Sequence, residues 1–175
     1  MAARDLDGRL AQGWGGASPD GVHVNVLLAR RGSPTAAAIA TAFTGPSAGF
    51  TPVLASVGAT QQEYRTLYPP TVVVAKTAPV DERHERLVFG ACGAGVARGV
   101  LDAVAAGAVA ADQDTLVLVS LWLDAAAQDE TAVCAAARVA TATAVREAAT
   151  GRDPEVAEHM VRDRDAVRHP FYGGR

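Results

Sequence analysis

Two periods of hydrophobic spacing divide this chain. Over Val22-His23-Val24-Asn25-Val26-Leu27-Leu28-Ala29 the spacing is two, which predicts a strand from about Val22 to Ala29. One face of that strand carries Val22, Val24, Val26 and Leu28; the other carries His23, Asn25 and Leu27. Residues two apart on a face are separated by roughly 7 Å. Ser33-Pro34 then offers an N-cap and a proline for the first turn of an Ala-rich helix reaching Phe43, which Gly45-Pro46 stops. Further strands are predicted over Thr51 to Val57 and Thr71 to Lys76. The polar loop between them holds Gln61, Gln62, Glu63, Tyr64 and Arg65 and ends at Tyr68-Pro69-Pro70.

From Asp81 to about Ala106, Leu87, Val88, Val96, Val100, Leu101 and Val104 mark the apolar side of a long helix. Gly90, Gly93, Gly95 and Gly99 depart from helix preference and permit close approach of a backbone or a ligand. Thr115 to Leu123 is apolar throughout, the pattern of a central strand, and a last helix covers about Ala127 to Ala149. The order β-α-β-β-α-β-α predicts an α+β fold with a mixed β-sheet and helices packed on one face. Residues 1–20, rich in Gly and charge, read as a flexible arm that Trp14 could pin to a surface, and 21–175 as one domain with a C-terminal tail. The tail is highly charged from Gly151 and closes on Arg168-His169-Pro170-Phe171-Tyr172, whose aromatics suit docking on the body or on a neighbouring subunit.

Composition supports a folded domain: 49% hydrophobic residues against 20% charged is neither a disordered nor a fibrous balance. A net charge of −3 supplies no basic field, so nucleic acid is not expected as a partner. No apolar run reads as membrane-spanning, and Met1 to Asp20 lacks the hydrophobic stretch of a signal peptide, which predicts a cytoplasmic protein with no membrane partner. Cys92 and Cys134 lie far apart in Ala-rich helical patterns and read as buried free thiols.

Chemistry concentrates on His23. An imidazole beside a polar neighbour at the mouth of a cleft can act as a general acid, and alternation points His23 and Asn25 into one space. Read from the strand alone, a His bonded to a carbonyl beneath a loop is the plainer alternative. His84, among Asp81, Glu82, Arg83 and Glu85, reads as part of a solvated charged face at a helix start. His159 and His169 have no metal-ligand spacing, and no metal site is expected. Gly90 to Gly95 has neither the preceding strand nor the Gly-Lys-Ser/Thr ending of a phosphate loop. Lys76 is the chain's only lysine; every other basic residue is arginine.

Several stretches in unbroken order resemble the formaldehyde-activating enzyme family, the tetrahydromethanopterin hydro-lyases. They are His23 with the Arg31-Gly32-Ser33-Pro34 turn, Gly49-Phe50-Thr51-Pro52-Val53-Leu54-Ala55, Thr71-Val72-Val73-Val74-Ala75-Lys76, Phe89-Gly90 with Gly95-Val96, and His169-Pro170-Phe171. The resemblance runs from about residue 20 to the end. It implies a fold like domain 2 of ribosomal protein S5, assembled as a homopentamer with active sites between neighbours. It also implies condensation of formaldehyde with tetrahydromethanopterin to the methylene adduct and water, with no cofactor beyond that cosubstrate.

In that reaction an amine adds to the aldehyde and the carbinolamine hydroxyl must leave as water, so an acid that protonates it lowers the barrier. The resemblance gives that role to His23 and places Asn25, Leu54 and Lys76 at the pterin site. Departures are specific: Asn25 stands where the family has an aspartate, Ala78 where it has a threonine, Gly93 where it has a glutamine, and Ala91 replaces a proline. An amide cannot carry the charge or accept two strong hydrogen bonds as a carboxylate does. Two other readings follow from these departures. One is a divergent homologue passing the one-carbon unit to another nucleophile; the other is a non-catalytic protein binding formaldehyde or a pterin.

Overall fold

A computed structural model describes residues 5–169. Its centre is a five-stranded sheet in the order β1-β2-β7-β6-β3, formed by β1 (Leu10–Gly15), β2 (Val22–Arg30), β3 (Val53–Leu54), β6 (Thr71–Ala75) and β7 (Thr115–Leu123). β6 and β7 run parallel and the other pairs antiparallel, so the sheet is mixed. β4 (Ser56–Val57) and β5 (Arg65–Thr66) pair separately. β7, apolar except at Thr115 and Ser120, is the central strand, as its composition predicts. The fold class is α+β.

The helices are α1 (Pro34–Thr44), α2 (Glu82–Arg86), α3 (Cys92–Ala105), α4 (Glu130–Thr150) and α5 (Pro154–Arg162). A π turn, Leu87–Ala91, joins α2 to α3. Ser33 caps α1 with Pro34 in its first turn, its hydroxyl accepting from the Ala36 N–H at 3.0 Å. One face of the sheet, built from Val22, Val24, Val26, Leu28, Val117, Val119, Leu121 and Val73, is sealed by α3 and α4 into the main core. The expectation of helices on one face holds for α3 and α4 but not for α1, which lies on the opposite face and covers only one end of it, where Ile39 and Ala36 pack with Ala29 and Val72. Among the described residues, no helix lies over the rest of that second face.

Close approach of backbones builds the core side. A Cβ at Gly95 would overlap the Cys134 carbonyl oxygen of α4, and one at Gly99 would lie 2.6 Å from the Arg138 carbonyl oxygen. These helix glycines therefore serve a backbone, not a ligand. Gly13 and Gly15 of β1 meet the Ala140 and Ala136 carbonyls in the same way.

Four further expectations need correction. Residues 10–15, read as arm, are edge strand β1: Ala11, Gly13 and Gly15 are small enough to pass under α4 while Leu10, Gln12 and Trp14 point away. The strand expected over 51–57 is two short strands, β3 and β4. His84 is 2% exposed, not solvated; its Nδ1 accepts from the Val80 N–H at 3.2 Å and its Nε2 donates to the Leu123 carbonyl at 3.2 Å. Finally, Glu82–Ala105 is long and apolar enough to cross a membrane by length and composition. Half of that stretch is buried within the protein, against α4 and the sheet.

Both cysteines are free, Cys92 buried and Cys134 half-buried, and burial pushes the Cys92 thiol up to about 12. The charged tail contains α5, none of whose residues is buried. The expected docking by Phe171 and Tyr172 lies outside the described residues.

Candidate functional site

The uncovered sheet face carries side chains in rows, because paired strands point directly opposed residues the same way. Register places Trp14 opposite His23 and His23 opposite Trp122. Lys76, one residue beyond β6, continues that row, its backbone N–H donating to the Leu121 carbonyl at 2.7 Å. The row reads Trp14, His23, Trp122, Lys76 across four adjacent strands. The next row is Gln12, Asn25, Ser120 and Val74.

The structure brings His23 and Lys76 into contact. The Lys76 Nζ lies 2.5 Å from His23 Nδ1, and the other imidazole nitrogen, Nε2, lies 2.7 Å from the Gln12 Oε1. An amide oxygen only accepts, so it assigns a proton to Nε2 and leaves the Nδ1 lone pair facing the amine. The Trp14 ring sits 5.8 Å from the imidazole and 6.1 Å from the Trp122 ring, both pairs tilted. Trp14 is fixed by donation from its Nε1 to the Gly16 carbonyl at 3.1 Å. An acid-base pair is thus held by rigid strands and bordered by aromatic rings.

Both basic groups are weakened here. Burial, and secondarily the charge of Lys76, hold His23 below the usual histidine range. Burial brings the Lys76 amine down to about 8 from its ordinary 10.5. When two groups this close exchange a proton, their titrations belong to the pair. Near neutral pH the pair holds one mobile proton with two places to sit.

The remaining predicted positions lie apart from that contact. Asn25 shares the face with His23 one row away and is exposed, lining a shallow depression with Gln12, Arg9, Glu147 and Arg152. Leu54 is opposite Val72, four residues before Lys76 on the strand, so roughly 13 Å separates them along it. Leu54 and Gly93 line a separate recess with Val57, Tyr64, Phe89 and Arg98. A Cβ at Gly93 would meet nothing within 4 Å. Tyr64, from the polar loop between the expected strands, is at this recess.

Gln12 and Trp122 are contacts outside the sequence reading, and Trp14, expected only as a pin for the arm, borders the imidazole. The one available signal was the small-large alternation of Leu10-Ala11-Gln12-Gly13-Trp14-Gly15, a period of two carried by size and not by hydropathy. Among the described residues, no group of three or more His, Cys, Asp or Glu is placed to hold a metal ion.

The family model for formaldehyde-activating enzyme matches residues 14–172. The chain is 31% identical over 158 residues to the 5,6,7,8-tetrahydromethanopterin hydro-lyase of Methanosarcina barkeri, covering 89% of this chain and 85% of that protein. It is 29% identical over 153 residues to a bifunctional enzyme Fae/Hps of Archaeoglobus fulgidus, covering 86% of this chain and 37% of that longer protein. A bifunctional enzyme Fae/Hps of Methanothrix thermoacetophila is 26% identical over 162 residues, 91% of this chain and 40% of its own length.

Proposed function

The chain belongs to the formaldehyde-activating enzyme family, and from that premise we propose that it condenses formaldehyde with tetrahydromethanopterin, His23 acting as general acid. The observation that carries this reading is the His23–Lys76 contact on an open sheet face between two tryptophans. The first carrier amine adds to formaldehyde, and the carbinolamine hydroxyl departs as water when the imidazolium protonates it. The second amine then closes the ring. Proton donation of this kind is worth about 10²- to 10⁴-fold, and holding carrier and aldehyde together supplies further acceleration. Trp14 and Trp122 offer flat apolar surface to a planar heterocycle. No cofactor other than the cosubstrate enters this scheme.

A homopentamer in the cytoplasm, with sites between neighbours, belongs to the same proposal. It is supported by the uncovered sheet face, with Leu10 71% and Trp14 44% exposed, and by the separation of Leu54 and Gly93 from His23. The Leu54 recess of one copy would complete the His23 face of the next.

The second reading, delivery of the one-carbon unit to a different nucleophile, is favoured by the open space at Gly93 and the uncharged Asn25. A site stripped of hydrogen-bonding partners discriminates less well. The test is formaldehyde consumption with purified protein and tetrahydromethanopterin, against the spontaneous reaction and against His23→Ala. Acceleration that falls by about 10²-fold or more in the variant is expected. No acceleration by the native protein rejects this carrier; undiminished acceleration by His23→Ala rejects the assigned acid.

A further inference from the structure

We propose that Lys76 is a covalent carrier of formaldehyde: its amine forms an iminium with the aldehyde, and His23 moves the protons. The proposal rests on formaldehyde being the substrate, as argued above, but not on the identity of the final acceptor.

Geometry is the first support. Lys76 directs its Nζ at a lone pair, not at a carboxylate: Nδ1 of His23 stands 2.5 Å away, and Gln12 holds the far side of the ring so that Nδ1 is the free nitrogen. The lysine forms no ion pair among the described residues. A lysine kept only for its charge would gain from an acidic partner; one facing a base can hand its proton over. The transfer creates a free amine and an imidazolium side by side, the nucleophile and acid that aldehyde capture requires. Half-burial of the amine, which lowers it to about 8, raises the share of free amine at neutral pH.

The use of residue types is the second support. The chain has 16 basic residues, and Lys76 alone among them is not arginine. A guanidinium does not deprotonate in proteins, so only this position can present a neutral nitrogen nucleophile on a side chain of that length.

The Lys76 amine attacks the carbonyl carbon, a C–N bond forms, and the carbonyl π pair goes to oxygen. A proton passes from nitrogen to oxygen, giving the carbinolamine. His23 Nδ1–H protonates the hydroxyl, the C–O bond breaks, water leaves, and the nitrogen lone pair forms the C=N⁺ bond. His23 is now neutral. A carrier amine adds to the iminium carbon; His23 moves a proton from that nitrogen to the Lys76 nitrogen. The Lys76 C–N bond breaks, leaving the methylene iminium on the carrier and restoring the free lysine.

The experiment uses the native protein and formaldehyde with sodium cyanoborohydride and no pterin, with Nα-acetyl-lysine in the same vessel as reference. Reduction of the iminium leaves a methyl group on Lys76, located by peptide mass spectrometry. Groups titrating near 8 and near 10.5 differ in free-amine fraction at neutral pH, so Lys76 should be labelled at least about tenfold faster than the reference. The preference should fall in His23→Gln. Lys76→Arg, which keeps the charge, should lose turnover.

Labelling of Lys76 no faster than Nα-acetyl-lysine overturns the proposal, as does full turnover by Lys76→Arg. The outcomes also separate this step from the parent reading. Fast labelling without pterin-dependent turnover keeps the adduct and rejects the carrier; pterin turnover without preferential labelling keeps the condensation and rejects the adduct.

Discussion

Replacing Lys76 by methionine should make the protein more stable at neutral pH, and the gain should vanish as the pH rises. Unfolded, the amine titrates at its ordinary 10.5; folded, at about 8. A base with a depressed folded value costs stability wherever it is charged in both states. Between pH 8 and 10.5 the unfolded chain binds the additional proton, so the stability of the native protein climbs through that window relative to a chain without the group. Converted at about 1.36 kcal/mol per pKa unit, the whole displacement would be about 3 kcal/mol. The amine is only half-buried, however, and water screens much of that, leaving about 1 kcal/mol. Methionine keeps the stem's apolar contacts without the charge. Denaturant unfolding of both proteins, followed by tryptophan fluorescence from about pH 7 upward, should show Lys76→Met ahead by about 1 kcal/mol at neutral pH, with the two converging near 10.5. A gap that does not change with pH, or a variant less stable at neutral pH, refutes the desolvation argument. Because the Lys76 charge is the second cause holding His23 down, an NMR titration of the variant should also find the imidazole closer to its ordinary 6.5.

Two glycines of the long helix should respond oppositely to substitution. Gly95→Ala drives a methyl into the Cys134 carbonyl and should cost about 1–3 kcal/mol by thermal or denaturant unfolding, since one helix must move off the other; an unchanged midpoint refutes the close-packing account. Gly93→Gln enters open space and replaces a poor helix former, so it should stabilise by about 0.5–1 kcal/mol. On the proposed function it should also lower the KM for tetrahydromethanopterin, and a raised KM counts against placing Gly93 at the carrier site.

β2, β7 and the long helix were legible because their apolar residues follow plain patterns. β2 alternates, β7 is apolar except at Thr115 and Ser120, and the apolar side of the long helix continues through the π turn. β1 was not legible by hydropathy, since the side facing α4 is Ala11, Gly13 and Gly15, which score as turn or neutral residues. His84 deceived for a different reason. Its neighbours Glu82, Arg83, Glu85 and Arg86 are exposed, but position three of the first turn points inward at the end of β7, and charge density along a sequence does not report direction. His23 and Asn25 share a face as alternation requires. That Lys76 meets His23 depends on register across β7, which lies far downstream of both in sequence, and no local pattern encodes it.

Register also explains why a lysine is needed for reach. His23 and Lys76 sit on strands separated by β7, so their backbones are about 10 Å apart at ordinary strand spacing. A short side chain could not close that distance, and an arginine could close it only with a group that keeps its proton. The long lysine stem crosses the row at Trp122 and delivers an amine to the imidazole, while the sheet beneath is fixed by the main core. Placement on paired strands holds the acid and the amine near reacting distance before any substrate arrives, which removes much of the ordering cost from the chemical step. The same placement leaves the pair on a part of the sheet face that no helix among the described residues covers. The exposure of this row, beside a core sealed on its other face, is therefore part of the argument that the His23–Lys76 pair acts on a ligand.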